Sequence, residues 1–183
     1  MPTMSIKSEN QIYSDIIGFI KSSLTALDIK GWQVMQLKQP VKLTEINPTI
    51  YVTCTNRNRR GWQQRLYPIV AQDLKIKDGF IQEIDVQISA LRRRELYDTT
   101  DTLNSGDVLE YIKTYMLNPY SLQDLRALGY TIYQPSNIQS PDFFDDSDNF
   151  EFMPFFNVTF ILNQSLIRPQ SSIDEYTLKI RKV

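Results

Sequence analysis

Five acidic residues lie between positions 142 and 151, and no lysine or arginine separates them. Carboxylate oxygens at short spacings are typical calcium ligands. An EF-hand loop, however, needs a glycine at its sixth position, and counted from Asp146 that position is Glu151. We therefore interpret the run as an acidic loop facing solvent or a partner and predict no bound metal; a divalent site of another kind is the alternative. The aspartates concerned are Asp142, Asp145, Asp146 and Asp148.

Arginines are clustered in two other stretches. The first surrounds Trp62, and the second is a run of three arginines at the end of a predicted strand. Arginines beside an aromatic ring can contact a nucleic-acid backbone and support base stacking. Arginine and tryptophan are also enriched at protein interfaces. The arginines concerned are Arg57, Arg59, Arg60, Arg65, Arg92, Arg93 and Arg94.

The overall charge favours the protein interface. Lysine and arginine total 20 and aspartate and glutamate total 21, which gives a net charge of −1, whereas dedicated nucleic-acid binders are strongly basic. Separate basic and acidic segments in a nearly neutral chain suit contacts between unlike surfaces of neighbouring subunits. We therefore predict a subunit interface formed by the basic residues, Trp62 and the four aspartates. Binding of nucleic acid through Arg57, Arg59, Arg60, Trp62 and Arg92 to Arg94 is the alternative.

The sequence contains no histidine, which excludes Ser-His-Asp and Cys-His catalytic sets and histidine-ligated zinc. It also contains no GxGxxG, GxxxxGK[ST], GxSxG or CxxC motif. Glu83 and Asp85 form a carboxylate pair, but they alternate outward on a predicted strand and are most simply a solvated face. We predict no enzymatic activity and no cofactor.

Hydrophobic periodicity places these residues on a small set of elements. The apolar spacing predicts helices over residues 9–27, 105–117 and 121–128. Alternation predicts strands over residues 49–55, 80–91, 130–133, 152–163 and 176–181. Residues 56–65 are polar and typical of a turn, residues 66–77 are a candidate hairpin partner for the second strand, and residues 165–175 are typical of a loop. This order predicts an α+β fold in which helices pack on one face of an antiparallel sheet.

We predict one domain over residues 1–183, because this length and an ordinary composition of 42% hydrophobic and 22% charged residues suit a single core. Pro40 and Pro48 predict an extended arm over about residues 32–48. The N-terminus lacks the features of a leader peptide, no segment is apolar enough to span a membrane, and Cys54 is the single cysteine. We therefore expect a reducing compartment and no membrane partner.

The last long predicted strand is unusually aromatic. Phe150, Phe152, Phe156 and Phe160 alternate along one face, which predicts that they form the middle of the core. Phe155 falls on the opposite face, and we predict that it contacts a neighbouring subunit.

Four segments follow one another in a familiar order. A glutamine-containing arm at residues 31–36 follows the first helix, and an arginine-glycine-aromatic turn at residues 60–65 ends the first strand. Residues 86–91 read VQISAL, and residues 146–156 have the pattern D-x-D-x-F-E-x-x-P-x-F. In this order, over about residues 10–165, the chain resembles the phage neck-terminator proteins, relatives of the tail-terminator (tail-completion) proteins.

The resemblance implies a virion structural protein, made in the cytoplasm of the bacterial host and located in the neck or tail of the phage. It implies a homo-oligomeric ring, commonly of six subunits, between a portal or adaptor protein and a tail tube or nozzle protein. Genomic DNA would pass through the channel without specific binding. Residues 165–183 match no motif of the family, so we expect a partner-specific contact there.

Overall fold

Three long antiparallel strands form the centre of the fold in the computed structural model, which describes residues 3–37, 47–66, 75–92, 103–140, 142–144 and 150–169. These strands are β3 (Thr49–Leu66), β4 (Lys75–Leu91) and β8 (Phe155–Pro169). β4 lies in the middle and pairs with β3 on one side and with β8 on the other. The structure thus confirms the α+β fold and the two strong strands predicted from alternation.

Short strands complete the sheet, and they are β1 (Thr3–Ser5), β2 (Gln33–Gln36) and β5 (Tyr130–Ile132). β1 and β5 pair antiparallel with β8, whereas β2 pairs in parallel with β3. The sheet is therefore mixed, whereas the sequence predicted a purely antiparallel one. A parallel pair needs a connection of about a dozen residues, and residues 37–48 supply that length. β6 (Asp142–Phe144) and β7 (Phe150–Phe152) form a separate two-stranded sheet.

Three helices supply the layer that packs on the sheet: α1 (Glu9–Ala26), α2 (Ser105–Met116) and α3 (Pro119–Ala127). Ser8 caps α1 through a reciprocal pair of hydrogen bonds with Gln11. Asn118 caps α3, and its side chain accepts from the backbone N–H of Tyr120. Pro119 occupies the first helical position of α3, where its missing backbone N–H costs no hydrogen bond.

The core lies between these helices and the central strands. Apolar side chains of α1 and α2 are buried against alternate residues of β3, β4 and β8. The alternation in β4 behaves as predicted, because every second residue from Ile84 to Ala90 is at most 1% exposed. The buried set of these five elements includes Ile16, Ile20, Ile50, Val52, Val86, Ile88, Val108, Ile112, Phe156 and Phe160.

Two boundaries predicted from polar composition are wrong. Residues 56–65, expected to be a turn, continue β3 to Leu66, and residues 165–169, expected to be a loop, continue β8 to Pro169. In both cases a neighbouring strand decides the structure: β4 pairs with β3 along that stretch, and β4 and β1 pair with β8 from both sides. The loop prediction for residues 170–175 and the predicted strand over residues 176–181 lie outside the described residues.

The aromatic strand is interrupted where the sequence predicted continuity. Residues 150–152 belong to β7 in the small sheet, and β8 begins only at Phe155, after Met153 and Pro154. The carbonyl of Pro154 accepts a hydrogen bond from the backbone N–H of Ala90, while Pro154 itself has no N–H to donate. The predicted core face is therefore confirmed from Phe156 onward, whereas the predicted continuity of the strand from residue 152 to residue 155 is wrong. The core role predicted for Phe150 and Phe152 stays a prediction.

A polar cluster joins the start of α1 to the end of α3. The ammonium group of Lys7 lies 2.6 Å from Asp15 Oδ2, 2.6 Å from the carbonyl oxygen of Leu128 and 4.3 Å from the ring centroid of Tyr130. The hydroxyl of Tyr130, a residue only 1% exposed, donates to Asp15 Oδ2 at 2.9 Å. Lys7 thus supplies a cation at the C-terminus of α3, where the helix dipole favours one.

Because of this cluster, the free energy of unfolding should decrease at alkaline pH. Burial, together with the neighbouring Asp15 carboxylate, raises the pKa of Tyr130 well above its usual value of about 10. Below about pH 10 the phenol is protonated in both states and its contribution is fully present. Above that pH the unfolded chain releases the proton more readily than the folded one, so the free energy of unfolding should fall.

Urea unfolding between about pH 9 and about pH 11 measures this dependence. We expect Tyr130→Phe to flatten it without abolishing it, because burial also raises the pKa of Tyr13. An identical slope in wild type and variant would contradict the assignment to Tyr130.

Candidate subunit interface

A register shift in β3 determines which face of the sheet each of the predicted basic residues occupies. Cys54 lies opposite Val86, but Asn56 lies opposite Asp85, so β3 contains one additional residue between these pairs. Since side chains alternate, the additional residue moves Arg57 and Arg59 to the face on which the helices pack. Arg60 points to the other face. No local pattern in the sequence indicates this shift.

Arg57 and Arg59 make different contacts on the helix side. Nη2 of Arg57 donates to the carbonyl oxygen of Lys7 at 3.2 Å and to Gln82 Oε1 at 3.3 Å. The guanidinium of Arg59 lies over the ring of Phe80, 4.4 Å from its centroid. Arg57 therefore connects the N-terminal segment to β4, whereas Arg59 has a stacking contact and no hydrogen-bond acceptor among the described residues.

Arg60 belongs to a three-residue network on the opposite face. Its Nη1 donates to Glu83 Oε1 and to the hydroxyl of Tyr133, both at 2.7 Å, and that hydroxyl donates to Glu83 at 3.1 Å. The hydrogen bond to Glu83 raises the pKa of Arg60. Glu83 is therefore paired rather than simply solvated. Sequence reasoning missed this network because Tyr133 is 50 residues from Glu83.

A polar cleft of about 600 Å³ lies on this same face. β3, β4 and β8 form its floor, and residues 133–139, which run along β8, supply its wall. Among the described residues that line it, Asp85 alone is ionisable, and Oδ1 of Asp85 accepts from the hydroxyl of Thr159 at 2.6 Å. The other polar lining residues are hydroxyls and amides, namely Thr55, Gln87, Gln134, Ser136 and Asn157.

Arg92 does not lie in an exposed basic patch, and its part in a subunit contact stays a prediction. It is 9% exposed, and its Nη1 donates to the carbonyl oxygen of Leu103 at 3.0 Å. Its position directly after β4 places it beside the start of α2, so it stabilises the interior of the subunit. Arg93 and Arg94 lie outside the described residues. Trp62 and Arg65 lie within β3 itself.

The acidic segment is described only in part. Asp142 lies in β6 opposite Phe152, whereas Asp145, Asp146 and Asp148 lie outside the described residues. Phe155 begins β8, is half-buried and lies opposite Ser89, on the face away from the helices. This position agrees with the predicted register. Its contact with a neighbouring subunit stays a prediction.

Two features are absent from the described part of the chain. No group of three or more cysteine, aspartate or glutamate residues is arranged there to hold a metal ion. None of the helices in the same ranges combines the length and the apolar character needed to cross a membrane.

Comparison with known proteins gives one informative result. The sequence model of a family described as E217 gateway protein gp29 matches residues 11–172 of the 183-residue chain. A comparison with curated proteins gives no match. The matched range includes α2, α3 and all of α1 except its first two residues, together with β2 to β8, the arginines of β3 and the polar cleft.

Proposed function

Since the chain belongs to the family of the E217 gateway protein gp29, and is therefore a structural protein of the phage neck, we propose that it assembles into a closed ring of six identical subunits. In this proposal the ring joins a portal or adaptor protein to a tail tube or nozzle protein and lets the genome pass. The protein has no catalytic role. Kinship with neck and tail terminators, suggested by the motifs at residues 60–65 and 146–156, is part of the same proposal.

The observation that carries the ring is the unlike chemistry of the two sheet faces. The helix-side face presents Arg59 beyond the helices, and the opposite face presents the polar cleft with Asp85. A ring requires each subunit to use two different surfaces, one for each neighbour. A dimer with twofold symmetry would instead pair one surface with itself. Arg60 and Glu83 neutralise each other on the cleft face, while Arg59 and Asp85, neither of which forms an ion pair within the described part of the chain, lie on opposite faces, which supports the first arrangement.

The described arginines give less support to nucleic-acid binding. Arg92 is buried, Arg60 is paired with Glu83, and Arg57 donates to acceptors within the chain. Binding of a phosphate backbone needs several uncommitted cations along one surface, because each neutralised phosphate adds to the affinity. Among the arginines of β3 whose side chains the structure describes, Arg59 alone donates to no acceptor within the described part of the chain.

Passage of DNA suggests which face lines the channel. A dense basic wall would bind DNA strongly through the release of counterions. We propose that the face carrying Glu83 and Asp85 lies toward the channel or toward the contact beside it. The backbone of residues 165–169 pairs with β1 and β4 within the sheet. We therefore propose that the partner-specific contact, expected over residues 165–183, is made by residues 170–183.

Imaging of neck particles that contain this protein tests the assembly. We expect six copies in one ring between the portal side and the tail side, each contacting its neighbours through two different surfaces. Native mass spectrometry of the purified protein supplies a second measurement, with a closed hexamer as the expected species at high concentration. A single copy or a twofold dimer in the particle would contradict the proposal. A monomer that binds single-stranded DNA would favour the nucleic-acid alternative.

A further inference from the structure

We propose that the polar cleft of one subunit receives the guanidinium group of Arg59 from a second copy, and that Asp85 is its counter-ion. This inference rests on the proposed ring and names the residue that each subunit contributes to its neighbour.

The cleft has the chemistry of a receptor for a cation with several hydrogen-bond donors. Its walls carry hydroxyl and amide groups around a single carboxylate, and Val158 is its one apolar lining residue. Guanidinium offers five N–H donors in a plane and accepts none, so it matches a lining rich in acceptor oxygens. An apolar group would leave the polar lining groups without partners, and an anionic group would be repelled by the Asp85 carboxylate.

Asp85 has the free capacity that such a ligand needs. Its Oδ1 accepts from Thr159, while Oδ2 has no donor among the described residues. No lysine or arginine in these same ranges forms a salt bridge with Asp85. The carboxylate is half-buried, so a cation brought to it interacts more strongly than in open solvent. The other carboxylate on this face, Glu83, is already paired with Arg60.

Arg59 is the described arginine best suited to enter the cleft. It is exposed, and its stacking on Phe80 orients the guanidinium plane while leaving its N–H donors without acceptors among the described residues. Because the side chain is already partly ordered in the free subunit, binding in the cleft costs less conformational entropy. Arg57 and Arg60 are less suitable because both already donate to acceptors in their own subunit.

The two partners cannot meet within one subunit. Arg59 lies on the helix side of the sheet, whereas the cleft lies on the opposite face, so the sheet itself separates Arg59 from Asp85. The pairing must therefore occur between copies, front to back. Such a contact repeats in the same sense from each subunit to the next, as a ring requires.

Single and paired substitutions test the contact in the full-length protein, by native mass spectrometry and by counting subunits in neck particles. Asp85→Asn removes the charge but keeps an oxygen that can accept from Thr159, and Arg59→Gln removes the guanidinium. We expect each to weaken ring formation roughly tenfold or more, since close charge pairs at interfaces couple strongly. The reversed pair, Asp85→Arg with Arg59→Asp, should recover much of the loss.

Matched controls come from α3, where Asp124 and Arg126 are exposed. Asp124→Asn and Arg126→Gln change charge equally and should leave assembly as in wild type. Thermal unfolding of each variant checks that the subunit still folds.

The outcomes separate this inference from the proposed function. Wild-type rings that tolerate both Asp85→Asn and Arg59→Gln would overturn the pairing while leaving the ring intact. Sensitivity to Asp85→Asn alone, without recovery by the reversed pair, would also overturn it and would assign the cleft to a basic group of another protein. Absence of any ring in wild type would overturn both.

Discussion

Replacement of Phe156 by alanine is expected to lower the free energy of unfolding by about 3–5 kcal/mol, because removal of a fully buried aromatic ring loses its transfer energy and leaves a cavity. Phe156 is 0% exposed and lies opposite Ile88, which is also 0% exposed. A loss of this size is a large part of the stability of an ordinary domain. Urea or thermal unfolding of the isolated subunit measures it.

Phe155→Ala is the matched control, since it removes the same ring from the adjacent position on the opposite face. Phe155 is half-buried, so we expect a loss clearly smaller than that of Phe156→Ala. If Phe155 contacts a neighbouring subunit, its replacement should weaken assembly more than folding. Equal destabilisation of the isolated subunit by the two substitutions would contradict both the assigned register and the interface role.

Replacement of Asp15 by alanine is expected to cost about 1–3 kcal/mol, the range for a buried polar group that loses its hydrogen-bond partner. The hydroxyl of Tyr130 would lose its acceptor in an interior position, and Lys7 would keep the carbonyl of Leu128 and the ring of Tyr130 but lose its ion pair. Chemical denaturation at neutral pH is the measurement. Asp15→Asn should cost less, because the amide oxygen can still accept from Tyr130.

A double-mutant cycle isolates the contribution of the hydroxyl. In a Tyr130→Phe background no orphaned hydroxyl remains, so we expect Asp15→Ala to be less costly there than in wild type. A cost that is the same in both backgrounds would show that Asp15 acts through Lys7 or through the helix instead.

The extent to which the sequence predicts the fold follows from the range of each interaction. The apolar faces of α1 and α2 and the alternation of β4 depend on near neighbours in the chain, and these were predicted. The continuation of β3 through residues 56–66 was not predicted, because these polar residues adopt strand structure only when β4 pairs with them. Local composition carries no information about such a partner.

At the candidate interface, too, local features were predicted from the sequence and long-range contacts were not. Arginine and aspartate content identified the relevant segments, but the face that each arginine occupies depends on one additional residue near position 55. Alternation counted from Tyr51 would place Arg57 on the wrong side. Asp85 was predicted to lie on a solvated face. It lies in a cleft because residues 133–139 run along β8, and local alternation does not reveal that contact.

The coverage of β8 has a consequence for the behaviour of free subunits. Along its outer edge β8 is paired in succession with β1, with β5 and, through backbone hydrogen bonds, with residues 133–139. An uncovered edge would be a template for a foreign strand. On this side the outermost strands, β1 and β5, have only three residues each, which is too short for a good template. Newly made copies, crowded in an infected cell before they reach the particle, are thereby protected on this flank from filamentous aggregation.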